Sequence, residues 1–133
     1  MAREYINPTD VAPPPGNLYN HVVKVGNTVY ISGQVSRDLN GRTIYAGDME
    51  GQFRQVWGNL EKAMKAAGGS INDIVKMTTY VVGADNIGKL RQAREDLQPL
   101  EGRPASTMVV VAALAGPDLL VEVEAVAILG DLS

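Results

Sequence analysis

The chain has 133 residues, 45% of them hydrophobic and 20% charged, with a formal net charge of −3. That composition suits one globular domain over residues 1–133 and excludes wholesale disorder. The acidic balance argues against a grip on nucleic acid, while zero cysteines and a single histidine exclude disulfides, thiol nucleophiles and a histidine- or cysteine-built metal site.

In chain order, the start Met1-Ala2-Arg3-Glu4-Tyr5 carries an acid and no apolar run, so no signal peptide is expected. Residues 7–16 hold Pro8, Pro13, Pro14 and Pro15, which neither a central strand nor a helix accommodates. Residues 1–17 therefore read as an extended arm. Strands are predicted over 21–25 and 28–32, joined by Gly26-Asn27 in a primed-type hairpin turn. Gly33 then interrupts the strand pattern, a sign of a bulge or of close backbone approach. Residues 38–47, with Asn40-Gly41, read as a loop or minor hairpin.

From Asp48 the period changes. Met49, Phe53, Val56, Trp57, Leu60 and Met64 recur at three- and four-residue steps, predicting an amphipathic helix capped by Asp48 and stopped by Gly68-Gly69. A β-branched strand follows over 75–82. A second helix runs from about 86 to 98, with Ile87, Leu90, Ala93 and Leu97 inward, Asp85 as cap, and Pro99 and Gly102 ending it. Residues 107–113 are nearly all apolar, as in a strand covered on both faces. Gly116-Pro117-Asp118 turns the chain into a last strand over 119–129.

The result is an α+β domain of order β-β-α-β-α-β-β, a mixed sheet of at least five strands packed on two helices. Two helices cover one sheet face; the valines of the terminal strands read the other as apolar, and a self-assembled partner is expected to cover it. No apolar run reaches the 18 residues of a membrane span, since Glu122 and Glu124 split the last one. The cytoplasm is the expected location.

Glu122 and Glu124 stand at i and i+2 in an apolar strand, so both project from one face. They could pair with an arginine, face water, or activate a water molecule in a cleft. Tyr19 lies at the mouth of the first strand, as a packing aromatic or a ligand contact. Gly33, in Ser32-Gly33-Gln34, would let a ligand approach backbone N–H groups. His21 reads as structural, and no phosphate-loop, dinucleotide or serine-hydrolase motif occurs.

Several local patterns together resemble the RidA/YjgF family of reactive-intermediate deaminases. They are Gly26–Val35 around Ser32-Gly33-Gln34, the helix-and-glycine stretch 59–69, the strand 73–81, Arg103-Pro104-Ala105-Ser106-Thr107, and Val121-Glu122-Val123-Glu124-Ala125-Val126-Ala127. The resemblance covers nearly the whole chain. It implies a chorismate-mutase-like fold, a homotrimer with sites between subunits, no cofactor and no metal, and hydrolysis of enamines and imines to keto acids and ammonia. On it, Glu122 positions the attacking water, while Tyr19 and Gly33 contact substrate.

One departure matters. The family's substrate-carboxylate arginine falls on Ser106, which cannot form a bidentate charged clamp, and Met108 makes the same wall bulkier. Arg91 or Arg103 could supply charge from another direction. The implied function is hydrolysis or binding of a small imine, enamine or related metabolite, with a deaminase acting on C=N bonds as the enzymatic form. The alternatives are a non-catalytic ligand-binding or chaperone-like trimer and an endoribonuclease, the last disfavoured by acidic charge and the lack of a histidine pair.

Overall fold

The computed structural model describes residues 2–98 and 102–130. Six strands form one sheet: β1 (Arg3–Ile6), β2 (Val22–Val25), β3 (Thr28–Gln34), β4 (Ile74–Val82), β5 (Ala105–Val111) and β6 (Val121–Ile128), in the order β1-β2-β3-β6-β4-β5. All neighbours are antiparallel except β4 and β5, which are parallel and joined through a helix, so the sheet is mixed. Two α-helices, α1 (Met49–Ala66) and α2 (Ile87–Leu97), pack on one face. This is the α+β arrangement the periodicities predict, with one strand more. Residues 3–6 of the expected arm pair with β2 as an edge strand; with Arg3, Glu4 and Tyr5 exposed, they carry no hydrophobic alternation to betray it.

The predicted helix signals act as read. The Asp48 side chain accepts from the Gly51 N–H at 2.9 Å, capping α1. At the other end Gly69 N–H donates to Met64 O and Gly68 N–H to Lys65 O, with Gly68 at φ +92°, which is a Schellman closure. The apolar stripe Phe53, Val56, Trp57, Leu60 and Met64 is buried against Val29, Ile31, Val121, Val123, Ala125 and Ala127 of the sheet. Residues 37 and 43 bridge, so the 38–47 stretch is a minor hairpin.

Three details depart from the sequence reading. Asp85 does not cap α2: it sits in a 3-10 turn, and Asn86 occupies the cap position without a side-chain cap bond, its Nδ2 donating instead to Val82 O at 2.8 Å. The strand expected at 107–113 runs Ala105–Val111 and is an edge, with Val109 40% and Val110 48% exposed; its apolar run is not covered on both faces within the chain. The sheet face away from the helices is mixed, not uniformly apolar: the register places Tyr30, Thr78, Tyr80, Glu122, Glu124 and Val126 there. Pro99, expected to end α2, lies outside the described residues. Among the described residues no helix is long and apolar enough to cross a membrane.

Two buried amides on α1 hold the segments that leave β3 and enter β6. Gln52 Nε2 donates to Asp118 O at 2.8 Å, and Leu120 N–H donates to Gln52 Oε1 at 2.8 Å. Asn59 Nδ2 donates to Val35 O at 3.1 Å. Both side chains break the apolar stripe of α1 and answer backbone groups that would otherwise be buried unpaired.

Candidate functional site

β3 and β6 pair in register up to Ile31–Ala125 and again at Gln34–Val123, with an irregularity between. Ser32 and Gly33 occupy that bulge, opposite the start of β6. The Glu122 side chain lies over Gly33: a Cβ built at residue 33 would come within 2.7 Å of Glu122 Cδ and Oε2. Gly33 is not in the left-handed region, so what requires glycine here is the close approach of the carboxylate. The two sequence elements singled out separately are thus one structural unit.

The two same-face acids differ in their partners. Glu124 accepts a hydrogen bond from the Tyr80 hydroxyl, which raises the tyrosine pKa above its ordinary value. Glu122, directly across from Tyr80 in the β4–β6 register, receives no hydrogen bond and forms no ion pair among the described residues. Burial pushes its pKa above the usual carboxylate range, the neighbouring Glu124 charge adds to this, and Arg37 partly opposes it. A half-buried carboxylate that lacks a partner and holds a proton more readily is suited to exchanging protons with a ligand or water.

Beside Gly33 opens a cleft of about 630 Å³ between the proline-rich segment and the residues after β3; Tyr19, His21, Gly33, Arg37 and Asn59 are among its lining residues. Tyr19 is 43% exposed and meets the His21 ring edge-on, centroids 6.1 Å apart. His21 itself is buried. Its Nε2 lies 2.6 Å from Ala12 O, and its Nδ1 lies 3.0 Å from Gln34 Nε2. A carbonyl can only accept and an amide nitrogen only donate, so Nε2 donates to Ala12 and Nδ1 accepts from Gln34. His21 therefore pins the proline-rich segment to β3, a structural role.

The remaining sequence candidates lie elsewhere. Ser106 pairs with Met77 on the helix side of the sheet, the face opposite Glu122. The two strand spacings between β5 and β6 alone separate Ser106 from Glu122 of the same chain by about 10 Å. Met108 shares the Ser106 side and packs against the core. Arg91 is exposed on α2 and is not the residue at Ser106. That residue is Arg94, whose Nη2 donates to Ser106 Oγ at 3.2 Å and whose Nε and Nη2 donate to Gln98 Oε1 at 3.3 Å. Burial, then the Arg103 and Arg91 charges, lower the Arg94 pKa. The structure thus sets Tyr19 and Gly33 on one cleft with Glu122 against Gly33, and separately Ser106, Met108 and α2.

Sequence reasoning missed Arg37 and Arg94. For Arg94 a signal existed, since it stands four residues from both Leu90 and Gln98, which are buried, and so lies on the inward stripe of α2. Arg37 comes after Ser36 in a loop with no period, and its position depends on the minor hairpin.

The family model described as Endoribonuclease L-PSP matches residues 9–129. The chain belongs to this family, the RidA/YjgF proteins. A RutC family protein of Pyrococcus abyssi is 35% identical over 127 residues, covering 96% of this chain and 98% of its own. The 2-iminobutanoate/2-iminopropanoate deaminase of Mus musculus is 32% identical over 123 residues, covering 92% of this chain and 89% of its own. Among solved structures, RidA from an Antarctic Psychrobacter superposes with a TM-score of 0.81 at 34% identity, covering 91% of this chain and 96% of that one. In this chain β6 lies between β3 and β4, which sets Glu122 across from the β3 bulge.

Proposed function

We propose that this RidA/YjgF protein hydrolyses a small imine, or the enamine that tautomerises to it, to a carbonyl compound and ammonia. The observation that carries the reading is the unpartnered Glu122 carboxylate lying over Gly33, itself a lining residue of the cleft. Glu122 takes a proton from a water whose oxygen bonds to the imine carbon. It passes that proton to the nitrogen to give the carbinolamine, then takes the hydroxyl proton and delivers it to the nitrogen as the carbon–nitrogen bond breaks, leaving the carbonyl product and ammonia. A raised pKa helps an acid that must both accept and give a proton near neutrality. The identity to a 2-iminobutanoate/2-iminopropanoate deaminase supports the substrate class.

The assembly we propose is a homotrimer. Ser106 and Glu122 of one chain face opposite sides of the sheet, so a site that uses both needs a second copy, whose β5 edge would meet the open face carrying Glu122. Sedimentation at micromolar concentration is expected to give a mass near three times 14.2 kDa; a stable monomer would remove the shared site. An RNA-cleaving role has less support, because the chain is acidic and both ring nitrogens of its one histidine are taken up by structural bonds.

The test couples a 2-iminopropanoate-generating dehydratase to semicarbazide trapping. Added protein is expected to divert the imine to pyruvate before it is trapped, and Glu122→Gln is expected to abolish the effect while leaving the assembly unchanged. If wild type and Glu122→Gln divert equally little while pyruvate still binds, the protein is a ligand-binding trimer and the hydrolytic reading fails.

A further inference from the structure

Arginine keeps its charge at any working pH, and a guanidinium drawn partly out of water is costly unless a counter-charge meets it. Among the described residues no counter-charge is in contact with Arg37. Its backbone N–H donates to Val35 O at 3.1 Å and its backbone bridges Thr43, but its guanidinium makes no hydrogen bond and no ion pair with them. The residue is nevertheless half-buried and lines the same cleft as Tyr19 and Gly33. Its Nη2 stands next to the turn leading into β6, 3.7 Å from where a Cβ on Gly116 would lie.

The charge of Arg37 is felt at Glu122 without an ion pair between them. A fixed cation lines the cleft, a carboxylate lies against Gly33, which lines it too, and neither is spent on a protein partner. Arg94, the other half-buried guanidinium, is in a different condition. Its fork is already donated to Gln98 and Ser106, and it sits on the helix side of the sheet, away from Glu122 of its own chain.

With Glu122 as the acid–base group proposed above, we infer that Arg37 is the anion-binding residue of this cleft, taking the carboxylate of a small 2-imino or 2-oxo acid. A guanidinium offers two parallel N–H donors to a carboxylate, a contact that Ser106 cannot make. The substrate then keeps its carboxylate even though the chain has serine at position 106. Specificity for imino acids over neutral imines is set from the loop after β3.

Binding of pyruvate, the stable 2-oxo acid, to the full-length protein separates this inference from the hydrolytic reading because it requires no turnover. By calorimetry, Arg37→Gln is expected to weaken pyruvate binding about 10- to 100-fold, the value of a charge-assisted bidentate contact. Arg37→Lys should recover only part of it, Arg54→Gln on the exposed face of α1 should bind as wild type, and acetone should not distinguish wild type from Arg37→Gln. A second readout needs no variant: phenylglyoxal labels accessible arginines, and pyruvate should protect Arg37 but not Arg54. Arg37-dependent binding without any imine hydrolysis would sustain the inference and sink the reaction. Three results overturn the inference: equal pyruvate affinity in wild type and Arg37→Gln, loss of binding in Arg94→Gln instead, or labelling of Arg37 that pyruvate does not slow. Loss of assembly in Arg37→Gln with no protection by pyruvate would mean that a neighbouring subunit's carboxylate is the partner, and overturns it too.

Discussion

Replacing Gly33 by alanine tests whether the position of the Glu122 carboxylate matters as the site requires. The added Cβ would start 2.7 Å from Glu122 Cδ and Oε2 and 2.9 Å from Cγ, against an ordinary contact of 3.4 Å or more. The carboxyl group must therefore retreat by at least 3.4 − 2.7 = 0.7 Å. Moving the far end of one side chain off its preferred rotamer costs about 0.5–1.5 kcal/mol. Gly→Ala at a backbone conformation open to any residue returns about 0.4–1 kcal/mol by restricting the unfolded chain. The two nearly cancel, so stability should change by no more than about 1 kcal/mol, a few degrees in Tm. Activity should not survive as well, because a displacement near 1 Å of a reacting group costs about 100-fold. The assay pairs thermal unfolding with the semicarbazide-trapping rate and repeats both in a Glu122→Ala background. There Gly33→Ala meets no carboxylate and should stabilise by about 0.4–1 kcal/mol. Full activity in a folded Gly33→Ala protein would refute the reasoning, as would a loss above about 3 kcal/mol, which would make Glu122 a fixed structural partner.

Glu122→Gln carries a pH signature. The folded-state pKa of Glu122 is raised above its ordinary value of 4.5, so between those two values the folded chain holds more protons than the unfolded one. Its contribution to stability then falls as pH rises through that window and stays low above it. Glu122→Gln should accordingly be more stable than wild type at pH 7 in urea unfolding, with the difference vanishing below about pH 4.5; a less stable variant at pH 7 would assign the carboxylate a structural partner instead. Ser106→Arg should be unfavourable within one chain, because the new guanidinium meets Arg94 Nη2, now 3.2 Å from Ser106 Oγ. A fall in Tm of a few degrees is expected at low ionic strength, relieved by salt; a rise would mean that the new side chain reaches a carboxylate, such as Glu122 of another subunit.

Helix α1, its Asp48 cap, its double-glycine stop, the β2–β3 hairpin and the shared face of Glu122 and Glu124 were all legible in the sequence. Each is written in residues no more than five positions apart, where sterics and hydrogen bonding of the local chain decide the outcome. The sheet order could not be read this way. β6 lies between β3 and β4, and Leu120 answers Gln52 across 68 positions; such pairings depend on which faces find one another when the core closes. The edge strand β1 was missed because exposed Arg3, Glu4 and Tyr5 leave no pattern of burial. At the site, the sequence marked Glu122, Gly33 and Tyr19 as separate features. Only the tertiary structure laid the carboxylate over the glycine, set Ser106 on the opposite face against Arg94, and placed Arg37 at the cleft. A charge acts through space, so which arginine serves which carboxylate is decided by packing and not by chain distance.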